Sequence, residues 1–413
     1  MEFLSAGVTR VTAITRMVII SAFADSYSFK STLNKWELNQ KDSSLNGLVP
    51  VKENSLQNWS TALLRLLLSS DPAGSGKAQR YNLDTKFLIM EESKLKPKLA
   101  VYWAAACAGC CVSVLDMHEK LFDVVTTIDL VFWPFALDTK YKDVEEMPDN
   151  HIDITLFNGA IRNSENEHMA KLLRKKSKIL VAYGSCAHLG GIPGLANFSS
   201  KKDIFNRIYS ESESTVNPGN IKPLPEYEVK EGILTIPDFF EDVRSLSQVV
   251  DVDYSIPGCP PQTDRLLEVI TTIVSGAELP PKGSVIGAGI KTQCDECIRK
   301  KTENKKIKKF YRPWEIEDDG ITCFIEQGVL CMGPATRTGC GYRCIKGNAP
   351  CRGCYGPPDS VTDPGAKMMS SIASIIDEKE PEEISRVLED IVDPAGTFYR
   401  FSLPVSLLRK KVS

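Results

Sequence analysis

An open α/β sheet of parallel strands, followed by an irregular, cysteine-rich domain, is the architecture this sequence predicts. Three observations predict it. Short apolar runs that end at glycine alternate with helix-periodic stretches from Lys98 to Gly276, the mark of a parallel sheet. That periodicity weakens after Lys291, and Gly, Pro and Cys dominate from Cys331 to Pro358. Twelve of the 13 cysteines fall into three sets of four.

The elements follow in order. Leu99-Ala-Val-Tyr-Trp103 reads as a buried strand ending at a CxxC pair, and Val112 to Leu121 as a helix. Ile152-Asp-Ile-Thr-Leu-Phe157 is a second strand, stopped by Asn158-Gly159, and Glu165 to Lys175 is helical. Lys178-Ile-Leu-Val-Ala-Tyr183 is a strand running into Gly184-Ser-Cys186. Val252-Asp-Tyr-Ser-Ile256 runs into Gly258-Cys259, and Gln262 to Ser275 is a helix. In the tail, Ala366 to Ile376 and Glu382 to Val392 read as two short helices with a polar break.

Composition narrows the function. A chain of 413 residues, 42% hydrophobic, has room for two or three domains. A net charge of −3 argues against nucleic acid and against an anionic membrane surface. No run of about 18 apolar residues predicts a transmembrane helix. CxxC pairs in so long a chain point to metal or redox chemistry rather than to a secreted disulfide scaffold.

Residues 1–92 contain no cysteine. Arg10 and Arg16 ahead of Met17-Val-Ile-Ile-Ser-Ala-Phe-Ala24 imitate a signal peptide, but the apolar run is short and twin arginines are lacking. Leu56 to Leu68 has amphipathic helical spacing, and Ser69 to Ala78 reads as a linker. The expectation is an accessory or partly disordered extension.

The first cysteine set is Cys107, Cys110, Cys186 and Cys259. Its loops each follow the carboxyl end of a strand, where open α/β sheets place their ligands. Gly109, Gly184 and Gly258 let backbone approach an inorganic core, and Pro260 and Pro261 stiffen the last loop. The other eight are Cys294-x2-Cys297, Cys323-x7-Cys331, Cys340-x3-Cys344 and Cys351-x2-Cys354. Four thiolates hold an iron–sulfur cluster, so three sets predict three clusters and a path for single electrons. Zinc is the competing ligand reading, but zinc ribbons are compact and the first set spans about 150 residues.

The motifs resemble a known family. Cys107-Ala-Gly-Cys110, Gly184-Ser-Cys-Ala187, Pro257-Gly-Cys-Pro-Pro261, Cys331-Met-Gly-Pro-Ala-Thr336, Gly339-Cys340 and Cys351-Arg-Gly-Cys354 are similar to those of the small, electron-transfer subunit of [NiFe] hydrogenases. The cytoplasmic F420-non-reducing (methyl-viologen-reducing) type is the most similar, and Asp393-Pro-Ala-Gly-Thr-Phe-Tyr-Arg-Phe401 fits it too. The match runs from about Met90 to Pro404.

The resemblance implies a proximal [4Fe-4S] cluster on Cys107, Cys110, Cys186 and Cys259. It implies a distal one on Cys294, Cys297, Cys323 and Cys331, and a medial one on Cys340, Cys344, Cys351 and Cys354. The periplasmic uptake branch has histidine where this chain has Cys294, and proline where it has Cys344. Full thiolate ligation implies three [4Fe-4S] clusters at low potential, suited to cytoplasmic partners. The implied fold is a flavodoxin-like α/β domain over 93–285, then an iron–sulfur domain over 286–413. The implied partners are a [NiFe] large subunit, where H₂ is split, and an acceptor such as a [2Fe-2S] protein linked to heterodisulfide reductase. No catalytic acid or base is expected in this chain.

Other enzyme readings fit less well. A nickel-binding large subunit needs Arg-x-Cys-Gly-x-Cys and Asp-Pro-Cys-x-x-Cys, both absent. The quinone-proximal subunit of complex I resembles the first domain but has no cysteine-rich tail. The small subunits of F420-reducing hydrogenase and of sulfhydrogenase are similar, since acceptor choice lies in partner chains. No GxGxxG stands in a strand–turn–helix context.

Cys111 reads as a buried thiol packed beside the proximal set. His188 reads as a hydrogen-bonding loop residue, or else as support for that set. Asp116 and Glu119 read as helix-face or subunit-contact charges. Arg337 and Arg352 read as surface ion pairs, or else as charges that tune potential. The run Lys300 to Lys309 reads as a solvated connection, or else as a dock for an acidic partner.

Overall fold

The structure, a computed structural model, describes residues 96–302 and 306–409. The extension 1–92, with its signal-like Met17–Ala24 and its Leu56–Leu68 stretch, lies outside the described residues.

Strand β1 (Lys98–Trp103) leads into helix α1 (Gly109–Leu115), α2 (Lys120–Thr127) and strand β2 (Asp129–Phe132). Helix α3 (Tyr141–Glu146) precedes β3 (Ile152–Asn158), β4 (Ile161–Asn163) and α4 (Ser164–Lys176). Then come β5 (Ser177–Tyr183), α5 (Ser185–Leu189) and α6 (Lys201–Tyr209). The hairpin β6 (Glu226–Val229) and β7 (Gly232–Thr235) is followed by β8 (Phe239–Arg244), β9 (Tyr254–Ile256) and α7 (Thr263–Val274). The main sheet has the order β2-β1-β3-β5-β9, all parallel, with Val101 beside Leu156, Leu156 beside Val181 and Val181 beside Tyr254. This is the flavodoxin-like order, whose ligand crevice opens at the carboxyl ends of the strands.

Both faces of the sheet are covered, as continuous apolar runs require. Leu99, Val101, Leu156, Val181 and Ile256 pack on one face with Leu266 and Ile270 of α7. Ala100, Tyr102, Phe157, Leu180 and Ala182 pack on the other with Met169, Ala170 and Leu173 of α4. The period of two along each strand sends neighbouring residues to opposite faces. Helix α4 starts where the Asn163 side chain accepts the N–H of Asn166 at 2.8 Å. It carries Glu165 and Glu167 in its first turn and Arg174, Lys175 and Lys176 in its last, the arrangement its dipole favours.

The expected helix Val112–Leu121 is instead two helices. His118 turns to φ +51° between them. The turn places Met117 in the core and leaves Asp116, His118 and Glu119 exposed. The expected strand from Val252 is shorter, beginning at Tyr254, and β2 is an edge strand that the sequence pattern does not announce.

Among its described residues the cysteine-rich region contains only short helices: α8 (Gln293–Glu296), α9 (Arg343–Lys346), α10 (Pro364–Ala373), α11 (Pro381–Glu389) and α12 (Pro394–Phe398). It nevertheless gathers an apolar core that its weak periodicity did not predict. Ile307, Phe310, Phe324 and Val329 from turns meet Met368, Ile372, Val387 and Phe398 from α10–α12. Cys323, Cys331 and Cys351 belong to the same core. The lysine-rich run is pinned there by Ile307 and Phe310, while Lys300, Lys301, Lys308 and Lys309 remain exposed. Among the described residues no helix is long and apolar enough to cross a membrane.

Candidate iron–sulfur sites

The crevice at the carboxyl edge of the sheet receives the first cysteine set. Cys107 and Cys110 flank the start of α1 just beyond β1, Cys186 lies in α5 just beyond β5, and Cys259 follows β9. Gly184 N–H donates to the Ile256 carbonyl and Ser185 N–H to that of Gly258, both at 2.8 Å. These bonds lock the Cys186 loop to the Cys259 loop. Gly184 has φ +87°, and a Cβ there would collide with Cys110 Sγ, so only glycine allows this approach.

Charge shows the convergence of the four sulfurs. Burial pushes the Cys110 thiol far up, and the neighbouring sulfurs of Cys186, Cys259 and Cys107 push it further. Burial and then Cys259 and Cys107 raise Cys186; burial and Cys107 raise Cys259. Thiolates this close repel one another until a cationic core lies between them.

Cys294, Cys297, Cys323 and Cys331 line one cavity, with about 320 Å³ of empty space counting its open side. Gly333 closes one wall, where a Cβ would stand 3.1 Å from Cys294 Sγ and 3.6 Å from Cys331 Sγ. Cys340, Cys344, Cys351 and Cys354 form the remaining set. Burial carries Cys351 up to about 11, opposed by the Gly353 N–H and Thr336 and aided by Cys340 and Cys344. Burial raises Cys354 strongly, and Cys351, Cys340, Cys344 and Cys259 add to it.

Two contacts join the sets end to end. Ser185 Oγ, next to Cys186, donates to the Cys354 carbonyl. Cys351 N–H donates to Cys331 Sγ at 3.3 Å. The 340–354 set thus stands between the other two.

The donor chemistry fits iron–sulfur groups. Among the described residues no three His, Cys, Asp or Glu side chains stand close enough to share one metal ion. A single zinc would draw its sulfurs to about 2.3 Å from one centre. Four soft thiol donors per set suit an iron–sulfur core.

The leftover residues sort themselves out. Cys111 is fully buried and accepts from Asn158 Nδ2 at 3.1 Å, so it stays apart from the set, as its sequence position suggested. His188 lies in α5 and its backbone N–H donates to the Gly184 carbonyl at 3.0 Å; burial and then Arg337 hold its ring neutral, with its pKa down to about 4. Arg337 is not a surface pair. Its guanidinium is buried and donates to Asp359 at 2.7 Å and to the Pro357 carbonyl at 2.9 Å. Arg352 is exposed. Next to the first CxxC pair, Trp103, Val112, Leu115, Phe122, Val125 and Phe135 are all exposed, which is the apolar surface such a set needs if a partner covers it.

Residues 107–273 match the family model for the NADH ubiquinone oxidoreductase 20 kDa subunit. The chain is 41% identical over 324 residues to an F420-non-reducing hydrogenase iron–sulfur subunit of Archaeoglobus profundus, covering 76% of this chain and 98% of that one. It is 38% identical over 326 residues to the corresponding F420-non-reducing hydrogenase subunit of Methanothermobacter marburgensis, covering 77% and 97%. Among solved structures, a chain of a NAD⁺-reducing [NiFe]-hydrogenase in the H₂-reduced state matches with 27% identity and a TM-score of 0.38, over 45% of this chain and 96% of that one. These relatives are hydrogenase subunits. The chain belongs to the family of iron–sulfur small subunits of the F420-non-reducing hydrogenases.

Proposed function

We propose that this chain is the electron-transfer small subunit of a cytoplasmic [NiFe] hydrogenase and holds three [4Fe-4S] clusters on its twelve paired-off cysteines. Bound there, the clusters supply one-electron redox chemistry between a hydrogen-splitting large subunit and a protein acceptor. Cys107, Cys110, Cys186 and Cys259 hold the proximal group, Cys340, Cys344, Cys351 and Cys354 the medial one, and Cys294, Cys297, Cys323 and Cys331 the distal one. The observation that carries this reading is the hydrogen bonding of the sets in series, Ser185 beside Cys186 to the Cys354 carbonyl and Cys351 N–H to Cys331 Sγ. A lone structural site would need no such series.

The chain's own work is to ligate, to orient and to exclude water. Gly184 and Gly333 bring backbone close to sulfur. The Cys351 N–H points at Cys331 Sγ, and hydrogen bonds to sulfur are one lever on potential. The exposed apolar residues from Trp103 to Phe135 form the face for the large subunit. The relatives align across the cysteine-rich region as well as the sheet, which favours a hydrogenase over a complex I-like subunit. A [2Fe-2S] protein linked to heterodisulfide reductase is the acceptor that the family resemblance suggests.

Substituting Cys259 with serine tests the reading. The native complex should bind about twelve irons per chain. The variant should lose or convert the proximal group and lose H₂-dependent dye reduction. Full activity with full iron in that variant rules the assignment out. The chains that co-purify with the native complex identify the acceptor.

A further inference from the structure

The cavity lined by Cys294, Cys297, Cys323 and Cys331 also has a cation in its wall, Arg299. Its side chain is 1% exposed. A guanidinium carries five N–H donors. Nη1 donates to Asp318 Oδ1 at 2.6 Å and to the Thr322 carbonyl at 2.9 Å. Nη2 donates to Asp318 Oδ2 at 2.6 Å and to Asn348 Oδ1 at 3.5 Å. The guanidinium carbon lies 3.7 Å from the centre of the Phe324 ring. Asp318 is itself held by Gln327 Nε2 at 3.0 Å. The group is therefore fixed by a two-pronged ion pair and a stacked ring.

One donor is left over. Among the described residues the buried Nε–H of Arg299 has no acceptor. Leaving a buried donor unmet is costly. The wall it shares is lined with sulfur, and an iron–sulfur group there presents further sulfur acceptors.

We propose that Arg299 sets the reduction potential of the iron–sulfur group in this cavity, donating its Nε–H to a sulfur there and holding a fixed positive charge beside it. This rests on the ligand assignment proposed above. The step concerned is the gain of one electron, delivered from the neighbouring set and passed on to the acceptor protein; no bond forms or breaks. A nearby cation and a hydrogen bond to sulfur both favour the more negative, reduced state and raise the potential. Guanidinium does not deprotonate in proteins, so the effect holds at every working pH. Lys301 also lines the cavity and donates to the Cys294 carbonyl, but it is exposed and water and salt screen it.

The test uses the whole native complex with Arg299→Gln, Arg299→Lys and Asp318→Asn. Iron content and EPR-monitored redox titration are read for each. Arg299→Gln should lower the midpoint of one iron–sulfur signal, leave the others in place and keep the iron. Asp318→Asn, which keeps Arg299 and removes its counter-charge, should raise the same midpoint. Arg299→Lys should fall between Arg299→Gln and the native complex. A residue that merely supported the fold would not move one potential in opposite directions. If Arg299→Gln loses iron, the other two variants decide by the same signs. Full iron with unmoved midpoints, or shifts of the same sign in Arg299→Gln and Asp318→Asn, overturns the inference alone. A native complex lacking one four-iron set overturns the ligand assignment and the inference together.

Discussion

The sheet domain and the cysteine-rich region reach order by different means. Among the described residues, the twelve largest fully buried side chains include eleven from the sheet domain, among them Tyr102, Phe157, Leu156 and Met169, and only Tyr355 from the other region. Burying such a side chain stabilises by roughly 1.5–3 kcal/mol, so the sheet domain holds itself together by apolar packing. In the cysteine-rich region, Cys323, Cys331 and Cys351 sit inside the core itself. Burial raises the cost of the Cys331 and Cys351 thiolates, and ligation of a cationic core would reverse that cost. The contrast teaches that one region holds a thiol set at the edge of a self-sufficient core, while in the other the thiols are part of the core.

The harshest way to break this contrast is to remove iron. A chelator with a mild oxidant should raise amide hydrogen exchange across residues 293–358 by at least about tenfold, the loss of a local stability near 1.4 kcal/mol or more. Exchange in β1, β3 and β5 should stay as slow as before. Equal loss of protection in β3 would mean that the two regions unfold as one unit and that the sheet domain does not stand alone.

A core truncation sharpens the same contrast at smaller scale. Leu156 is 1% exposed in the middle strand β3. Leu156→Ala should cost about 2–5 kcal/mol by denaturant unfolding followed with sheet-domain probes. The cost should be equal in iron-loaded and iron-depleted protein, because sites without shared partners add. A penalty that grows on iron removal would show coupling between the halves.

The same division explains what the amino-acid sequence reveals. β1, β3, β5, α4 and α7 are legible because each carries a long, bounded apolar pattern. β2 is only Asp129-Leu-Val-Phe132 at the sheet edge, too short for its period to register. The break at His118 is hidden because Val112 to Leu121 keeps helical spacing through it. Spacing and motif group the cysteines into sets, and the structure brings Cys294, Cys297, Cys323 and Cys331 to one cavity. The core of the cysteine-rich region is not legible, because Ile307, Phe310, Phe324 and Val329 contribute singly from irregular segments. Arg299 and Arg337 are illegible for a related reason. A charged side chain is exposed by default, and their burial depends on Asp318 and Asp359, 19 and 22 residues away.

The mildest comparison lies in two helix caps. Asn163 caps α4 of the sheet domain through one bond, from Asn166 N–H at 2.8 Å. Asp363 caps α10 of the other region from Ala366 N–H at 2.9 Å, and its second oxygen accepts Leu407 N–H at 2.9 Å. Asn163→Ala should cost about 1 kcal/mol. Asp363→Ala should cost roughly twice that, because it orphans a second donor 44 residues away and loosens the tail over the helix. Where periodic packing is sparse, single polar bonds hold chain segments that apolar faces hold elsewhere. Calorimetry of the two variants measures this directly, and a larger loss at Asn163 than at Asp363 would show that the cysteine-rich region leans on its metal groups rather than on such bonds.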